Sequence, residues 1–205
     1  MRLLQILLFG FLLSFLFEGM AATNRTVVIV SGEFAVSPFT TPKASCKRGF
    51  AAGSTDTFLR DSLLQRGYQV YTAPAMNRRG PVSAQSDAAF GPFGDCPPAL
   101  GDNLTINSSG DIELAGVHLA NFLEFLRVRH GIRQANLVAH SSGGLYARAA
   151  IQSLKERHSM VKVLSLITLG TPWQGAPYAN PTNPADSASG CNDQPVCNLF
   201  LNSLS

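Results

Sequence analysis

The sequence predicts an α/β fold of three layers, in which a mainly parallel central sheet lies between helices. Short apolar runs rich in β-branched residues alternate along the chain with segments of helical apolar spacing, as in strands joined by crossover helices. Each crossover helix returns over one face of the sheet, so helices are expected on both faces. With 205 residues, of which 45% are hydrophobic and 14% charged, the chain is long and apolar enough for one globular domain.

Four apolar segments predict the strands of this sheet. The first, Thr-Val-Val-Ile-Val at residues 26–30, ends in Ser31-Gly32. Such β-branched runs are typical of strands that are buried on both faces. The other three predicted strands are residues 68–72, 135–139 and 161–169, the last closed by Gly170-Thr171-Pro172.

Helices are predicted between these strands. Residues 111–130 carry one broad apolar stripe and end at Gly131, which is a typical helix stop. Residues 74–110 are rich in Pro, Gly, Ser and Asn without periodicity, which predicts a long loop. The remaining predicted helices are residues 57–66, ended by Gly67, residues 145–158, and a short one at residues 196–204.

The N-terminus has the pattern of a signal peptide at residues 1–22. Arg2 supplies the positive charge, residues 3–17 are almost wholly apolar, and Ala21 and Ala22 are small enough for cleavage. Fifteen helical residues span about 22 Å, which is short of the roughly 30 Å hydrocarbon core of a membrane. The sequence therefore favours a cleaved signal over an anchor, with a secreted domain at residues 23–205.

Export agrees with the use of cysteine and with the glycosylation motifs. Four cysteines allow three disulfide pairings, and the sequence alone does not choose among them. Five residues rich in turn formers separate Cys191 from Cys197, which favours a local bridge and would leave Cys46 to pair with Cys96. Three N-x-S/T sequons, acceptors of N-glycosylation in a eukaryotic host, begin at Asn24, Asn103 and Asn107.

Charge and ligand patterns argue against nucleic-acid and metal binding. The net charge of +3 is spread thinly, so its basic residues are better interpreted as a solvated surface than as a nucleic-acid site. A zinc site is disfavoured because the cysteines show no Cys-x-x-Cys spacing and the four histidines lie elsewhere in the sequence.

The segment that carries chemistry is the junction of the strand at 135–139 with the next helix. It contains Ala139-x-Ser141-x-Gly143, a variant of the G-x-S-x-G nucleophile elbow. A serine hydroxyl becomes a useful nucleophile when a sharp turn projects it free of the sheet toward a base, and small flanking residues permit that turn. The alternative is an ordinary strand-to-helix turn with Ser141 as the helix N-cap.

Two further segments accompany the elbow, Val-Val-Ile-Val-Ser-Gly at residues 27–32 and Leu-Ile-Thr-Leu-Gly-Thr-Pro-Trp-Gln-Gly at residues 166–175. Together with Ala-His-Ser-Ser-Gly-Gly-Leu-Tyr-Ala-Arg at residues 139–148, they resemble the α/β-hydrolase lipases, especially the bacterial-type triacylglycerol lipases. The resemblance covers about residues 26–204. It implies a three-layer α/β-hydrolase fold and ester hydrolysis through Ser141, with no metal or organic cofactor.

The resemblance also implies two oxyanion donors. By position, these are the backbone N–H groups of Ser142, directly after the nucleophile, and of Glu33, directly after Gly32. The sequence departs from the family here, because Ser31 stands where the family has His before Gly32. A carboxylate at Glu33 would disfavour a negative intermediate unless it points away.

A second departure concerns the other two members of a catalytic triad. In this fold, an acid and then a histidine follow the serine, each after a later strand. No residue after Gly175 is in a recognisable strand, no histidine follows His158, and Asp186 and Asp193 therefore receive no role. We expect the C-terminal strands of the fold to be missing, with the triad acid and histidine beyond Ser205.

The four histidines present are not expected to replace the missing base. His158 lies at the far end of the helix after Ser141, about 20 Å from it. His118 and His130 lie on the preceding helix, where a surface or packing role is favoured. His140 adjoins the nucleophile, at a position that supports the elbow in the family.

The function predicted is that of a secreted carboxylic ester hydrolase with a lipid or ester substrate and a transient contact with a lipid interface. Trp173, Tyr178 and the apolar C-terminal segment either line an acyl pocket or pack in the core or a lid. Two alternatives stay open, a catalytically incomplete lipase fragment and a thioesterase or acyltransferase of the same fold. The sequence implies no protein partner.

Overall fold

The computed structural model describes residues 25–44, 55–77 and 97–175 of the chain. Several sequence predictions lie outside these residues: the signal peptide at residues 1–22, all four cysteines with their disulfides, Asn24, Tyr178, Asp186, Asp193 and the helix at residues 196–204. Those predictions stay predictions.

The described elements alternate as the sequence predicts. A 3₁₀ turn, Asp102–Leu104, precedes β4. In chain order the elements are β1 (Thr26–Val30), α1 (Thr55–Gln65), β2 (Gln69–Thr72), β3 (Ala75–Met76), β4 (Ile106–Asn107), α2 (Ile112–His130), β5 (Gln134–His140), α3 (Gly143–Glu156) and β6 (Lys162–Leu169). In the described part of the chain, no helix has the length and apolarity needed to cross a membrane.

The central sheet has the strand order β2-β1-β5-β6, and every pair in it is parallel. The register places Val30 beside Ala139 and His140 beside Leu169. The carboxyl ends of β1, β5 and β6 therefore meet at one edge of the sheet. In open parallel sheets this is the edge at which ligands bind.

The two faces of the sheet have separate apolar cores. On one face, Val28, Val30 and Leu137 pack with buried residues of α2 and α3. On the other, Val27, Ile29, Val70 and Val138 pack against leucines of α1. Successive residues of a strand point to opposite faces, so the β-branched run of β1 supplies both cores. The predicted three layers, helix, sheet and helix, are confirmed.

The second helix begins and ends with the signals that its sequence contains. Its N-cap is Asp111, whose carboxylate accepts a hydrogen bond from the backbone N–H of Leu114 at 2.8 Å. Its C-cap is Gly131, with the left-handed φ of 71° that glycine tolerates. Gly116 brings this helix close to α3, since a Cβ there would lie 2.3 Å from Cβ of Ala149.

The prediction of one long loop at residues 74–110 is wrong in part. Two short parallel strands, β3 and β4, pair Ala75 with Ile106 and Met76 with Asn107. Both Ala75 and Ile106 are fully buried. A two-residue strand is too short to produce a period-2 pattern, so its pairing across 31 positions of sequence leaves no local signal.

Candidate active site

Ser141 forms the sharp turn between β5 and α3. Its φ is 52°, a left-handed conformation that costs a residue other than glycine about 1–3 kcal/mol. Two contacts with the end of β6 hold the turn. The N–H of Ser141 donates to the carbonyl of Leu169 at 2.8 Å, and its carbonyl accepts from the hydroxyl of Thr171 at 2.8 Å. The Gly-Thr-Pro loop thus lies directly against the elbow.

Small residues allow the chain to approach this turn, as the elbow requires. A Cβ on Gly143 would lie 2.6 Å from the carbonyl oxygen of Val30, and one on Gly144 would lie 2.2 Å from Oγ1 of Thr171. Distances under about 3 Å are not accessible to a real Cβ, so glycine is required at both positions. Ala139, the small residue two positions before Ser141, is fully buried beside Val30.

The turn after β1 packs directly against Ser141. A Cβ on Gly32 would lie 2.7 Å from Cβ of Ser141, 3.3 Å from its Oγ and 2.8 Å from the carbonyl oxygen of His140. Gly32 therefore brings the backbone of residues 32–33 into direct contact with the elbow.

Among the described residues, the backbone N–H groups of Gly32, Glu33, Ser142 and Gly143 have no acceptor at this contact. Glu33 and Ser142 are the two positions that the resemblance implies as oxyanion donors. Beyond Glu33 the N–H groups are bonded, because that of Phe34 donates to the carbonyl of Ser108 at 3.2 Å and that of Ala35 to the carbonyl of Gly32 at 3.3 Å. Free amide donors beside a serine hydroxyl are what an oxyanion hole needs.

The side chain of Glu33 is partly buried. Its Oε1 has no hydrogen-bond partner within the described residues, and burial raises the pKa of the carboxyl above its usual range. Tyr146 lies in the first turn of α3 and donates its hydroxyl to the carbonyl of Ser108 at 3.0 Å. Burial, and then the charge of Glu33, raise the pKa of this phenol. The carboxyl thus sits in a poorly solvated position that favours its neutral form.

Ser31, where the sequence departs from the resemblance, has its own hydrogen-bond partners. Its hydroxyl donates to Oδ2 of Asp56 at 2.5 Å and lies 2.7 Å from the hydroxyl of Ser37. Asp56 is in the first turn of α1, far from Ser31 in sequence. Sequence analysis did not identify Asp56, because a lone Asp at a helix start also serves as an ordinary favourable charge there. The only signal was the departure at Ser31.

All four histidines lie within the described residues, and no hydrogen bond joins any of them to Ser141. His118 is buried with Nδ1 2.8 Å from the carbonyl oxygen of Thr105, and His130 lies edge-on to the rings of Phe39 and Tyr71. Burial lowers the pKa of His130. These are packing roles, as predicted.

Of the other two histidines, His158 holds the place expected for it, and the supporting role expected for His140 stays a prediction. His158 is exposed and follows the last turn of α3, at the opposite end of that helix from Ser141. His140 is the last residue of β5 and is half-buried. Because side chains alternate along a strand, His140 shares its face of the sheet with Val138, on the side of α1.

Trp173 follows the Gly-Thr-Pro loop at the same edge of the sheet. It is 41% exposed among the described residues, and Phe34 on the turn after β1 is 54% exposed. Two large apolar side chains thus stand at the edge where Ser141 lies, and neither is part of the described core.

Comparison with known families points to the same chemistry. Residues 101–186 match the model of a family described as "Putative serine esterase (DUF676)". The matched span includes the elbow and the Gly-Thr-Pro loop. No curated protein matches the chain.

Solved structures identify the fold. The chain is similar to the Bacillus licheniformis lipase BlEst2 in its mature form, with a TM-score of 0.51 and 19% identity over 89% of this chain and 58% of the lipase. BlEst2 in its propeptide form gives a TM-score of 0.53 and 19% identity over 89% of this chain and 32% of that one. The chain therefore has the α/β-hydrolase fold, as predicted, and spans little more than half the length of the mature lipase.

Proposed function

We propose that this protein is a serine hydrolase that cleaves carboxylic esters, of the lipase or esterase type, with Ser141 as its nucleophile. The observation that carries the proposal is the contact of three groups at the elbow. A serine held at a φ of 52° lies against Gly32, and the free N–H groups of Glu33 and Ser142 flank it. An ordinary N-cap serine needs neither the left-handed backbone nor the free donors.

The reaction that this arrangement supports is acyl transfer. Oγ of Ser141 attacks the ester carbonyl, and the carbonyl oxygen, now negative, accepts hydrogen bonds from Glu33 N–H and Ser142 N–H. The C–O bond to the alcohol then breaks and leaves an acyl-serine. Water adds to the acyl carbonyl, the acid departs, and Ser141 regains its hydroxyl. A base must take the Oγ proton in the first step and return it to the leaving alcohol.

Three further observations support an apolar ester as the substrate. The matched family is described as a serine esterase, and the structural neighbour is named a lipase. Phe34 and Trp173 expose apolar surface at the edge of the sheet that holds Ser141. They would contact an acyl chain or, transiently, a lipid interface. Export through the apolar segment at residues 1–22 would bring the enzyme to extracellular lipid or ester substrates.

A second candidate is a catalytically incomplete relative of these hydrolases. It is favoured by one observation, that none of the four histidines, all of which are described, is hydrogen-bonded to Ser141. Reactivity of the serine separates the two candidates.

The test is labelling by a fluorophosphonate, which reacts with activated serines. We expect the full chain to be labelled and Ser141→Ala to lose the label. Ser62→Ala, on α1, is the matched control and should label like the wild type. Equal labelling of Ser141→Ala and the wild type would contradict the proposal, and an unlabelled but folded wild type would favour the incomplete relative.

A further inference from the structure

The turn after β1 is anchored from the first turn of α1 by a chain of hydrogen bonds. Ser31 is 1% exposed, and its hydroxyl has a single proton, which it donates to Oδ2 of Asp56. The hydroxyl of Ser37, 2.7 Å away, must therefore donate to Ser31. A hydroxyl that donates to a carboxylate makes one of the stronger kinds of hydrogen bond found in proteins.

This anchor lies next to the residues that form the proposed oxyanion hole. Ser31 immediately precedes Gly32, which contacts Ser141, and Glu33, whose N–H is free. The carbonyl oxygen of Ser31 is also close to the elbow, since a Cβ on Gly143 would lie 2.7 Å from it. The position of Ser31 thus sets where the Glu33 N–H points.

A second residue of α1 binds the chain farther along, at residues 40–41. Arg60, one helical turn after Asp56, is buried and donates to Thr40 Oγ1 at 3.3 Å and to the carbonyl of Thr41 at 2.8 Å. Asp56 and Arg60 therefore bind residues 31–41 at two points. Of the two, only Asp56 binds next to Gly32 and Glu33.

We propose that Asp56, acting through the hydroxyl of Ser31, is a positioning residue that aims the Glu33 N–H at the oxyanion formed on Ser141. The inference deepens the proposed function and rests on it. Ser31 is the residue before Gly32, and Asp56 binds it from the first turn of α1. The role of Asp56 is to hold the donor in place, and it does not touch the substrate.

The experiment measures the second-order rate constant for labelling of the folded, full chain by a fluorophosphonate. Asp56→Ala and Ser31→Ala should each slow labelling by about ten- to a hundredfold, since a displaced oxyanion donor costs that much. The double variant should be no slower than the slower single one, because both changes break one hydrogen bond. Asp56→Asn keeps an acceptor for Ser31 and should stay within about threefold of the wild type. Arg60→Met is the matched control, which should lower the melting temperature and leave the rate unchanged.

The second measurement is hydrogen exchange, followed by mass spectrometry, of the peptide that contains Phe34 and Ala35, whose N–H groups in this turn are hydrogen-bonded. It should speed up in Asp56→Ala and stay slow in Arg60→Met. Labelling of Asp56→Ala at the wild-type rate, or of Asp56→Asn as slowly as Asp56→Ala, would overturn the positioning role. A wild type that does not react at Ser141 would instead overturn the proposed function. In that case, unchanged exchange in Asp56→Ala would overturn the anchor as well, and faster exchange would support it.

Discussion

At the scale of single residues, the site depends on a strained serine and on glycines that no larger residue can replace. The left-handed φ of Ser141 costs about 1–3 kcal/mol. Contacts with Leu169, Thr171 and Gly32 offset that cost. The same contacts leave its hydroxyl uncommitted, because no described side chain bonds to it.

Gly32→Ala should damage both stability and reactivity. The added methyl group would meet Cβ of Ser141 at 2.7 Å and the carbonyl oxygen of His140 at 2.8 Å, so the turn after β1 has to move away from the elbow. We expect a loss of about 1–3 kcal/mol in the free energy of unfolding and a loss of most fluorophosphonate labelling. Gly131→Ala is the control, since it adds backbone strain but meets no atom within 4 Å and lies at the far end of α2. Normal labelling of Gly32→Ala would contradict the close contact between Gly32 and Ser141.

Glu33 should make stability depend on pH. Burial raises the pKa of its carboxyl, so the folded protein holds this proton to a higher pH than the unfolded chain does. Its contribution to the free energy of unfolding therefore falls as the pH rises from the unfolded pKa, about 4.3, through the folded one. Glu33→Gln should raise the melting temperature more near neutral pH than near pH 4. An equal difference at both pH values would show that the carboxyl is well solvated.

At the scale of elements, helix ends were predictable and long-range pairings were not. Asp111 and Gly131 have local signals because capping involves only neighbours in sequence. The β3–β4 pair and the Ser31–Asp56 bond join residues distant in sequence, so only the folded chain brings them together. The elbow was predictable because strand, turn and helix are contiguous there. The free N–H groups beside the elbow could not be predicted in the same way, because the turn after β1 is distant from Ser141 in sequence.

The N-cap of α2 offers a direct test at this scale. Asp111→Ala removes the acceptor of the Leu114 N–H and should lower the free energy of unfolding by about 1 kcal/mol, measured by urea denaturation. Labelling of Ser141 should not change, because the cap lies on a different element. Glu113→Ala is the matched control, as it removes an acid from the same turn without removing the cap. Equal losses in the two variants would indicate a charge effect alone.

At the scale of the whole molecule, the described part of the fold brings together the proposed nucleophile and the proposed oxyanion donors, and no described histidine is hydrogen-bonded to Ser141. His118 lies against the carbonyl oxygen of Thr105 and His130 against the ring of Phe39. His158 follows the C-terminal end of α3, whereas Ser141 precedes its N-terminal end. The described sheet also leaves apolar surface on β6, where Leu164 is 44% and Ile167 51% exposed. The sequence predicted, from the length of the helix after Ser141, that His158 lies far from the serine. The apolar exposure on β6 follows from its position at the edge of the described sheet.

Turnover of the chain by itself should therefore be slow. No described histidine is hydrogen-bonded to Ser141, so purified, monomeric protein should hydrolyse p-nitrophenyl butyrate several orders of magnitude more slowly than a lipase with a complete triad. Its labelling by a fluorophosphonate should also be slow, although still confined to Ser141. His158→Ala should leave the remaining rate unchanged. Rapid turnover that is lost in His158→Ala or His118→Ala would show that one of these side chains reaches Ser141.

The most direct test of the account is the location of the fluorophosphonate adduct. After labelling, the protein is digested and the modified residue is identified by mass spectrometry. The account predicts one adduct, on the Oγ of Ser141, and its disappearance when the protein is unfolded before labelling. An adduct on any other residue, with Ser141 unmodified in folded protein, would contradict the assignment of Ser141 as the nucleophile.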